Sequence, residues 1–347
     1  MASEEIVNVW EDNLEAEFDK ITELIEKYKY VSMDTEFPGI VIQRENLTGY
    51  PLIKSNVDEL KLIQVGITLS DENGEMPTPT STWQFNLKFD LNEDPHAKDS
   101  IDVLKEAGIN FDELSARGIH DIRFADLLLS SGLVLNDDIH WITFHGAFDF
   151  AYLIKSLSNA KLPKTLDSFN TSLKSFFPSV YDLKLIVNEV SELKNGSLKK
   201  LGIDLDVKRH GIMHQAGSDA HLTALCFFKI KAVHFKNGIP RKAINKVYGL
   251  SSEFQPYNPT ALPQNPTLAS SIETRQQQML TQAAQQQASY QNMYFAQQPL
   301  GFYAYAEVPG FNYYANPYDG QVFGNFAPQT PAAPLMTLQN PYKPANK

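Results

Sequence analysis

Four carboxylates and one histidine have the residue types and spacing that metal-dependent hydrolysis requires. Asp34 and Glu36 lie two positions apart in KYKYVSMDTEFPG, at the end of a segment with the composition of a β-strand. Residues i and i+2 of a strand point to the same side, so these two carboxylates would be neighbours that repel each other. Asp149 lies among aromatic residues in FHGAFDF, and Asp219 lies at the start of an apolar helical segment. These positions are predicted at element ends, where functional residues of α/β folds commonly lie.

Divalent cations would remove the repulsion between these carboxylates. Several carboxylates in one pocket raise one another's pKa, because each negative charge disfavours the next. Oxygen donors without sulfur favour hard cations such as Mg²⁺ or Mn²⁺. Two such ions about 3.5–4 Å apart stabilise the attacking and leaving oxygens of an in-line phosphoryl displacement. The carboxylates therefore predict a site for two divalent cations and phosphoryl chemistry.

His214 is the candidate general base. It lies five residues before Asp219 in HGIMHQAGSDAHL, within a predicted loop. An imidazole in this position could accept a proton from an attacking water, because histidine titrates near neutral pH. His210 and His221 also permit a zinc site with His214, but no cysteine cluster or HExxH motif accompanies them. An aspartyl-phosphate phosphatase built on the DTE triplet is disfavoured because its other required residues are not matched.

Strands and helices are predicted to alternate around these residues. A helix in NLEAEFDKITELIEKY precedes the strand that ends in Asp34 and Glu36. Helix 217–235 is predicted with Ser218 or Asp219 as its N-cap. Mixed elements on one core predict an α/β or α+β fold. The other predicted strands lie within residues 60–69, 81–89, 137–146 and 176–182.

The composition changes near residue 252. Residues 253–347 contain 12 of the 20 prolines and the glutamine-rich run QQQMLTQAAQQQ, without apolar periodicity. Such a segment buries too little surface to offset its chain entropy, so we predict a disordered tail. A linker and a partner-binding segment are both open interpretations of it. Residues 1–252 are predicted to form the folded domain.

Charge, cysteine content and hydropathy restrict the remaining possibilities. A net charge of −11 argues against broad, nonspecific adhesion to nucleic acid, although it permits an enzyme that holds a few nucleotides through metal ions. A single cysteine, Cys226, excludes an intramolecular disulfide and suits a reducing compartment. No segment approaches the ~20 apolar residues of a membrane span, and the acidic N-terminus does not resemble a signal peptide. We therefore expect a soluble intracellular protein without membrane association.

Three motifs resemble those of a known family. MDTEFPG (33–39), FHGAFDFAYLIK (144–155) and HQAGSD (214–219) are similar to the exonuclease motifs of the DEDD superfamily with histidine, specifically the Caf/Pop-type deadenylases. The likeness extends over roughly residues 5–250. The family's S/G-Y-D-F sequence at the second motif is A-F-D-F here, which keeps the acid and its aromatic neighbours.

The resemblance implies a fold, a reaction and roles for individual residues. The fold would be RNase H-like, with a five-stranded mixed sheet flanked by helices. Asp34, Glu36 and Asp219 would hold one cation, while Asp34 would bridge to a second cation supported by Asp149. His214 would be the general base in 3′→5′ hydrolysis of single-stranded poly(A), which releases 5′-AMP.

The resemblance also implies partners and a location. The expected partners are a scaffold subunit and a second nuclease subunit of the Ccr–Not complex, and the expected location is the cytoplasm and also the nucleus. Two alternatives stay open. The first is a DEDD exonuclease with another RNA or DNA specificity, and the second is a catalytically silent adaptor of an mRNA-decay complex.

Overall fold

The computed structural model describes residues 6–44, 47–193, 196–250, 313–315 and 322–324. The chain divides into two units, residues 1–263 and 264–347. In the second unit, strands Tyr313–Ala315 and Val322–Gly324 pair in antiparallel fashion. The rest of the predicted disordered tail lies outside the described residues, and the predicted boundary at residue 252 stays a prediction.

A six-stranded mixed sheet organises the first unit. Its spatial order is β1-β4-β3-β2-β5-β6. Strand β3 is antiparallel to both β2 and β4, whereas the pairs β1–β4, β2–β5 and β5–β6 are parallel. This topology confirms the predicted mixed α/β class. The strands are β1 (Ile6–Val9), β2 (Tyr30–Glu36), β3 (Gln64–Ser70), β4 (Thr82–Asn86), β5 (His140–Thr143) and β6 (Ser179–Asp182).

The prediction of five strands is wrong by one. All five predicted strands are present, and β1 adds a sixth at the sheet edge, where Ile6 lies opposite Thr82. The segment IVNV of β1 shows no clear alternation of apolar and polar residues. The partner strand of β1 also lies more than 70 residues away along the chain, so no local signal indicates the pairing.

Helices cover both faces of the sheet. On one face, α1, α2, α5, α6 and α7 share a hydrophobic core with Val31, Met33 and Trp141 of the strands. On the other face, α8, α9 and α10 pack around Ile142. The helices are α1 (Leu14–Leu24), α2 (Gly49–Glu59), α3 (Lys98–Glu106), α4 (Phe111–Arg117), α5 (Asp121–Ser130), α6 (Ala147–Ser158), α7 (Leu166–Phe176), α8 (Leu183–Val187), α9 (Leu198–Asp204) and α10 (Ala216–His234). None of the helices in the described ranges is both long and apolar enough to cross a membrane.

Helix α10 approaches the backbone of β3 because residue 66 is glycine. A Cβ atom at Gly66 would lie 2.0 Å from the carbonyl oxygen of Ala216, a distance that no pair of unbonded atoms tolerates. The missing side chain therefore lets the first turn of α10 rest directly on the sheet. Because Asp34 lies opposite Gly66 in the strand register, this contact brings the start of α10 close to the carboxylates of β2.

The predicted N-cap of α10 is wrong. The helix begins at Ala216, so Ser218 and Asp219 lie in its first turn, and Gln215 is the N-cap without a capping side-chain bond. Two glutamines of the sheet instead bind the first two N–H groups of the helix. Gln64 Oε1 accepts from Ala216 N at 3.3 Å, and Gln84 Oε1 accepts from Gly217 N at 3.0 Å. A cap supplied from another element leaves no local sequence signal.

Candidate active site

Strands β2, β5 and β6 are parallel, and their carboxyl ends meet along one edge of the sheet, where the predicted residues lie. Asp34 and Glu36 are in the last three residues of β2. Strand β5 leads through a short turn into α6, whose first turn contains Asp149. Asp219 in the first turn of α10 faces the same edge, as the Gly66 contact requires. The carboxyl edge of a parallel sheet is the usual position of an α/β active site.

Thr35 holds Asp149 next to the two acids of β2. Its backbone N and its hydroxyl Oγ1 both donate to Asp149 Oδ1, at 2.9 and 2.7 Å. Asp149 is 7% exposed, so these bonds stabilise a carboxylate that burial would otherwise disfavour. Thr35 was not predicted from the sequence, although a hydroxyl between two candidate acids in DTE was a signal that it could position a third.

Glu36, His214 and Asp219 form a compact group of potential metal ligands. Their ligand atoms all lie within 4.8 Å of one another, which no other set of three or more acidic, histidine or cysteine side chains achieves among the described residues. The backbone N of His214 donates to Asp219 Oδ2 at 2.9 Å, so the loop that carries the imidazole is tied to the carboxylate. His214 is exposed and has a φ of +64°, which turns the chain sharply before α10. Asp34 and Asp149 lie close enough to this group for their charges to interact with those of Glu36 and Asp219.

Burial and neighbouring negative charges raise the pKa values of these carboxylates. Burial raises the pKa of Asp34 well above its usual range, and the charges of Asp149, Asp219 and Glu36 add to this, while the Arg209 charge opposes it. Burial, together with Asp219 and Asp149, raises the pKa of Glu36 to about 8. Burial also raises the pKa of Asp149 to about 6, although its bonds with Thr35 act in the opposite direction.

A pair of hard divalent cations fits this donor set. Carboxylate oxygens whose charges repel one another gain most from a cation, and a donor set dominated by carboxylate oxygen suits Mg²⁺ or Mn²⁺. The Cys226 thiol is buried in the hydrophobic core around α10, outside this group of ligands, and burial raises its pKa to about 12. The alternative zinc group is not assembled, because His214 joins Glu36 and Asp219 while the rings of His210 and His221 contact each other at 5.1 Å.

Asp182 supports the turn that precedes Asp149. This fully buried carboxylate ends β6 and accepts backbone N–H bonds from His145 at 3.0 Å, Gly146 at 3.2 Å and Tyr248 at 2.9 Å. It thereby fixes the chain at the N-terminus of α6. The sequence predicted a strand here but no role for the aspartate. A carboxylate at the end of an apolar strand was the available signal, as it was for Asp34.

Comparison with known proteins identifies the family. The sequence model of the CAF1 family ribonucleases matches residues 9–125 and 133–227. The chain belongs to the CAF1 ribonuclease family. Poly(A) ribonuclease pop2 of Schizosaccharomyces pombe is 44% identical over 253 residues, which is 71% of this chain and 75% of that protein. A probable CCR4-associated factor 1 homolog of Arabidopsis thaliana is 44% identical over 261 residues, which is 72% of this chain and 94% of that protein.

Solved structures of CAF1 family members share the fold. The Mg²⁺- and Mn²⁺-bound form of S. pombe Pop2p superposes with a TM-score of 0.69 at 42% identity, covering 71% of this chain and 100% of that one. A chain from the yeast NOT1 MIF4G domain co-crystallised with CAF1 superposes with a TM-score of 0.63 at 35% identity, covering 70% and 96%. The RNase H-like class implied by the three motifs is confirmed, with six strands in place of five.

Proposed function

We propose that this CAF1 family ribonuclease is a 3′→5′ exoribonuclease that removes mRNA poly(A) tails and releases 5′-AMP. The observation that carries the proposal is the assembly of four carboxylates and an exposed histidine at one sheet edge. Over 253 residues, the chain in which they assemble is 44% identical to a poly(A) ribonuclease.

We assign two divalent cations to the carboxylates. Asp34, Glu36 and Asp219 would hold the first, while Asp34 and Asp149 would hold the second. Mg²⁺ or Mn²⁺ is the expected metal, since the similar S. pombe Pop2p binds both. When bound, the two ions would activate a water and neutralise the charge that develops on the scissile phosphate.

His214 is assigned as the general base. Its exposed ring can reach a water at the open edge of the site, and its bond to Asp219 keeps its loop beside the ligand group. The imidazole accepts a proton as the water oxygen bonds to the terminal phosphorus. The bond from phosphorus to the 3′ oxygen of the preceding nucleotide breaks as the new bond forms, and this oxygen takes up a proton from solvent, which leaves 5′-AMP and a shortened RNA with a 3′ hydroxyl.

We extend the proposal to the partners. The yeast complex contains the NOT1 MIF4G domain with CAF1, so a Ccr–Not scaffold subunit is the expected partner of this chain, together with a second nuclease subunit. A net charge of −11 does not attract RNA, which makes recruitment by such partners useful. Localisation to the cytoplasm and nucleus stays a prediction, which imaging of a fluorescent fusion would test.

Digestion of defined RNAs tests this function. The full chain would be incubated with 5′-labelled RNA ending in an oligoadenosine tract, in Mg²⁺, Mn²⁺ or chelator, beside Asp34→Ala. We expect a metal-dependent ladder that shortens from the 3′ end and is absent in Asp34→Ala. Asp112→Ala, at an exposed position in α4, is the matched control and should leave the ladder unchanged.

Two further results would favour the alternatives. Equal digestion of oligoadenosine, oligouridine and oligocytidine tracts would indicate an exonuclease of broader specificity. Absence of a ladder from a folded protein under every metal condition would favour the silent adaptor. The presence of all four acids and the histidine in one site argues against that second outcome.

A further inference from the structure

The guanidinium of Arg209 lies directly on one of the proposed metal ligands. Its Nη1 is 2.7 Å from Asp219 Oδ1 and also donates to Ser218 Oγ at 3.1 Å. The second oxygen of Asp219, Oδ2, accepts the backbone N–H of His214 at 2.9 Å. Both carboxylate oxygens of Asp219 therefore have protein partners. A cation that binds through Oδ1 must compete with the guanidinium for that oxygen.

The ion pair is shielded enough for this competition to be strong. The side chains of Arg209 and Asp219 are only 19% and 11% exposed. Solvent screens such a pair much less than an ion pair on the open surface. The hydroxyl of Ser218 donates to the carbonyl of His210 at 2.6 Å, which holds the chain that follows Arg209 near the start of α10.

A phosphate is the natural second partner for this guanidinium. Arginine binds phosphate oxygens with two parallel hydrogen bonds, and the bonds are charge-assisted. The proposed reaction places a phosphodiester beside Asp219, so the substrate would bring that partner within the same site. If the guanidinium moves from carboxylate to phosphate, cation and RNA binding each favour the other, as linkage requires.

We infer that Arg209 is an exchangeable counter-ion: it competes with a divalent cation for Asp219 and transfers to the RNA phosphate when the cation binds. This inference rests on the proposed function, because it needs the metal site and a phosphodiester substrate. It assigns Arg209 a role in linking metal binding to substrate binding. A residue that only oriented Asp219 would weaken both kinds of binding when removed.

Two measurements on Arg209→Gln separate these roles. Mn²⁺ affinity without RNA would be measured on the full chain by electron paramagnetic resonance, and KM for oligoadenosine RNA would be measured at saturating Mn²⁺. We expect Mn²⁺ to bind about tenfold more tightly in Arg209→Gln, since a nearby positive charge has been removed. We expect KM to rise about tenfold, since one charged phosphate contact is lost. Arg209→Lys keeps the charge and should bind Mn²⁺ within about threefold of the wild type.

Mn²⁺ binding that is unchanged or weaker in Arg209→Gln would overturn the inference while leaving the metal site intact. A wild-type chain that binds no Mn²⁺ would instead refute the proposed function itself. If Arg209→Gln does not fold, labelling of the arginines of the wild type with phenylglyoxal tests the inference instead. Saturating Mn²⁺ with RNA omitted should then increase labelling of Arg209 but not of Arg117, which pairs with residues outside the site. Unchanged labelling of Arg209 would overturn the inference.

Discussion

Glu36→Gln should stabilise the protein in the presence of chelator, although it should also abolish activity. Burial and the charges of Asp219 and Asp149 raise the pKa of Glu36 from 4.5 to about 8. In the folded chain Glu36 therefore keeps a proton up to about pH 8, whereas in the unfolded chain it loses that proton near pH 4.5. The free energy of unfolding must then fall as the pH rises between these values. Glutamine carries no charge at any pH and avoids this loss.

The pKa change sets the size of the effect. One pKa unit corresponds to about 1.4 kcal/mol, so full ionisation of the carboxylate would destabilise the fold by about 5 kcal/mol, of which about 4 kcal/mol is already lost at pH 8. Glu36 is only partly buried, and its neighbours can also take up protons. We therefore expect about half of this value, ~2 kcal/mol, which raises the melting temperature by about 4–8 °C in a domain of this size.

Thermal unfolding by circular dichroism would test the expectation. Wild type and Glu36→Gln would be compared at pH 5 and pH 8, in chelator and in Mg²⁺. The melting temperatures should nearly coincide at pH 5, and Glu36→Gln should melt higher at pH 8 in chelator. Mg²⁺ should stabilise the wild type more, because it binds an intact ligand set. Glu23→Gln, at an exposed position of α1, should change little under all conditions.

A lower melting temperature for Glu36→Gln at pH 8 in chelator would refute the reasoning. Glu36 would then stabilise the fold through contacts that outweigh its repulsion from Asp219 and Asp149. Equal destabilisation at both pH values would likewise show that the ionisation of Glu36 is not responsible.

Three further predictions concern the same site. Thr35→Val removes the hydroxyl that donates to Asp149 at 2.7 Å, so kcat should fall about tenfold, and Thr35→Ser should restore it. Equal rates in Thr35→Val and wild type would contradict this role. Gly66→Ala places a Cβ 2.0 Å from the Ala216 oxygen and should cost ~3 kcal/mol or more, so an unchanged melting temperature would disprove the contact. Mg²⁺ should bind more tightly as pH rises from 6 to 8, because the cation displaces the proton of Glu36. Calorimetry in buffers of different ionisation enthalpy should detect that proton, and pH-independent affinity would exclude its release.

Local patterns were sufficient to predict the elements that carry the chemistry. The period of two placed Asp34 and Glu36 on one side of a strand, and the apolar spacing predicted α1 and most of α10. The Caf/Pop motifs then supplied the residue roles. Those roles stay predictions for all four acids and for His214, and their positions at the sheet edge agree with them.

Contacts between distant parts of the chain could not be predicted in this way. Thr35 and Asp149 are 114 residues apart, and Gln64 caps a helix that begins 152 residues later. Such bonds depend on how elements pack, and nothing in the neighbouring sequence encodes them. The same reason explains why β1 was missed and why Ser218 was wrongly predicted as an N-cap.

The bond from Tyr248 to Asp182 also determines where this enzyme can be shortened. The backbone N of Tyr248 donates to Asp182 Oδ2, and Asp182 holds the turn before Asp149. A chain that stopped at residue 240 would retain every proposed catalytic residue. It would nevertheless lose part of the scaffold behind Asp149. The scaffold behind Asp149 therefore extends past Asp219, the last of the proposed catalytic residues, at least as far as Tyr248.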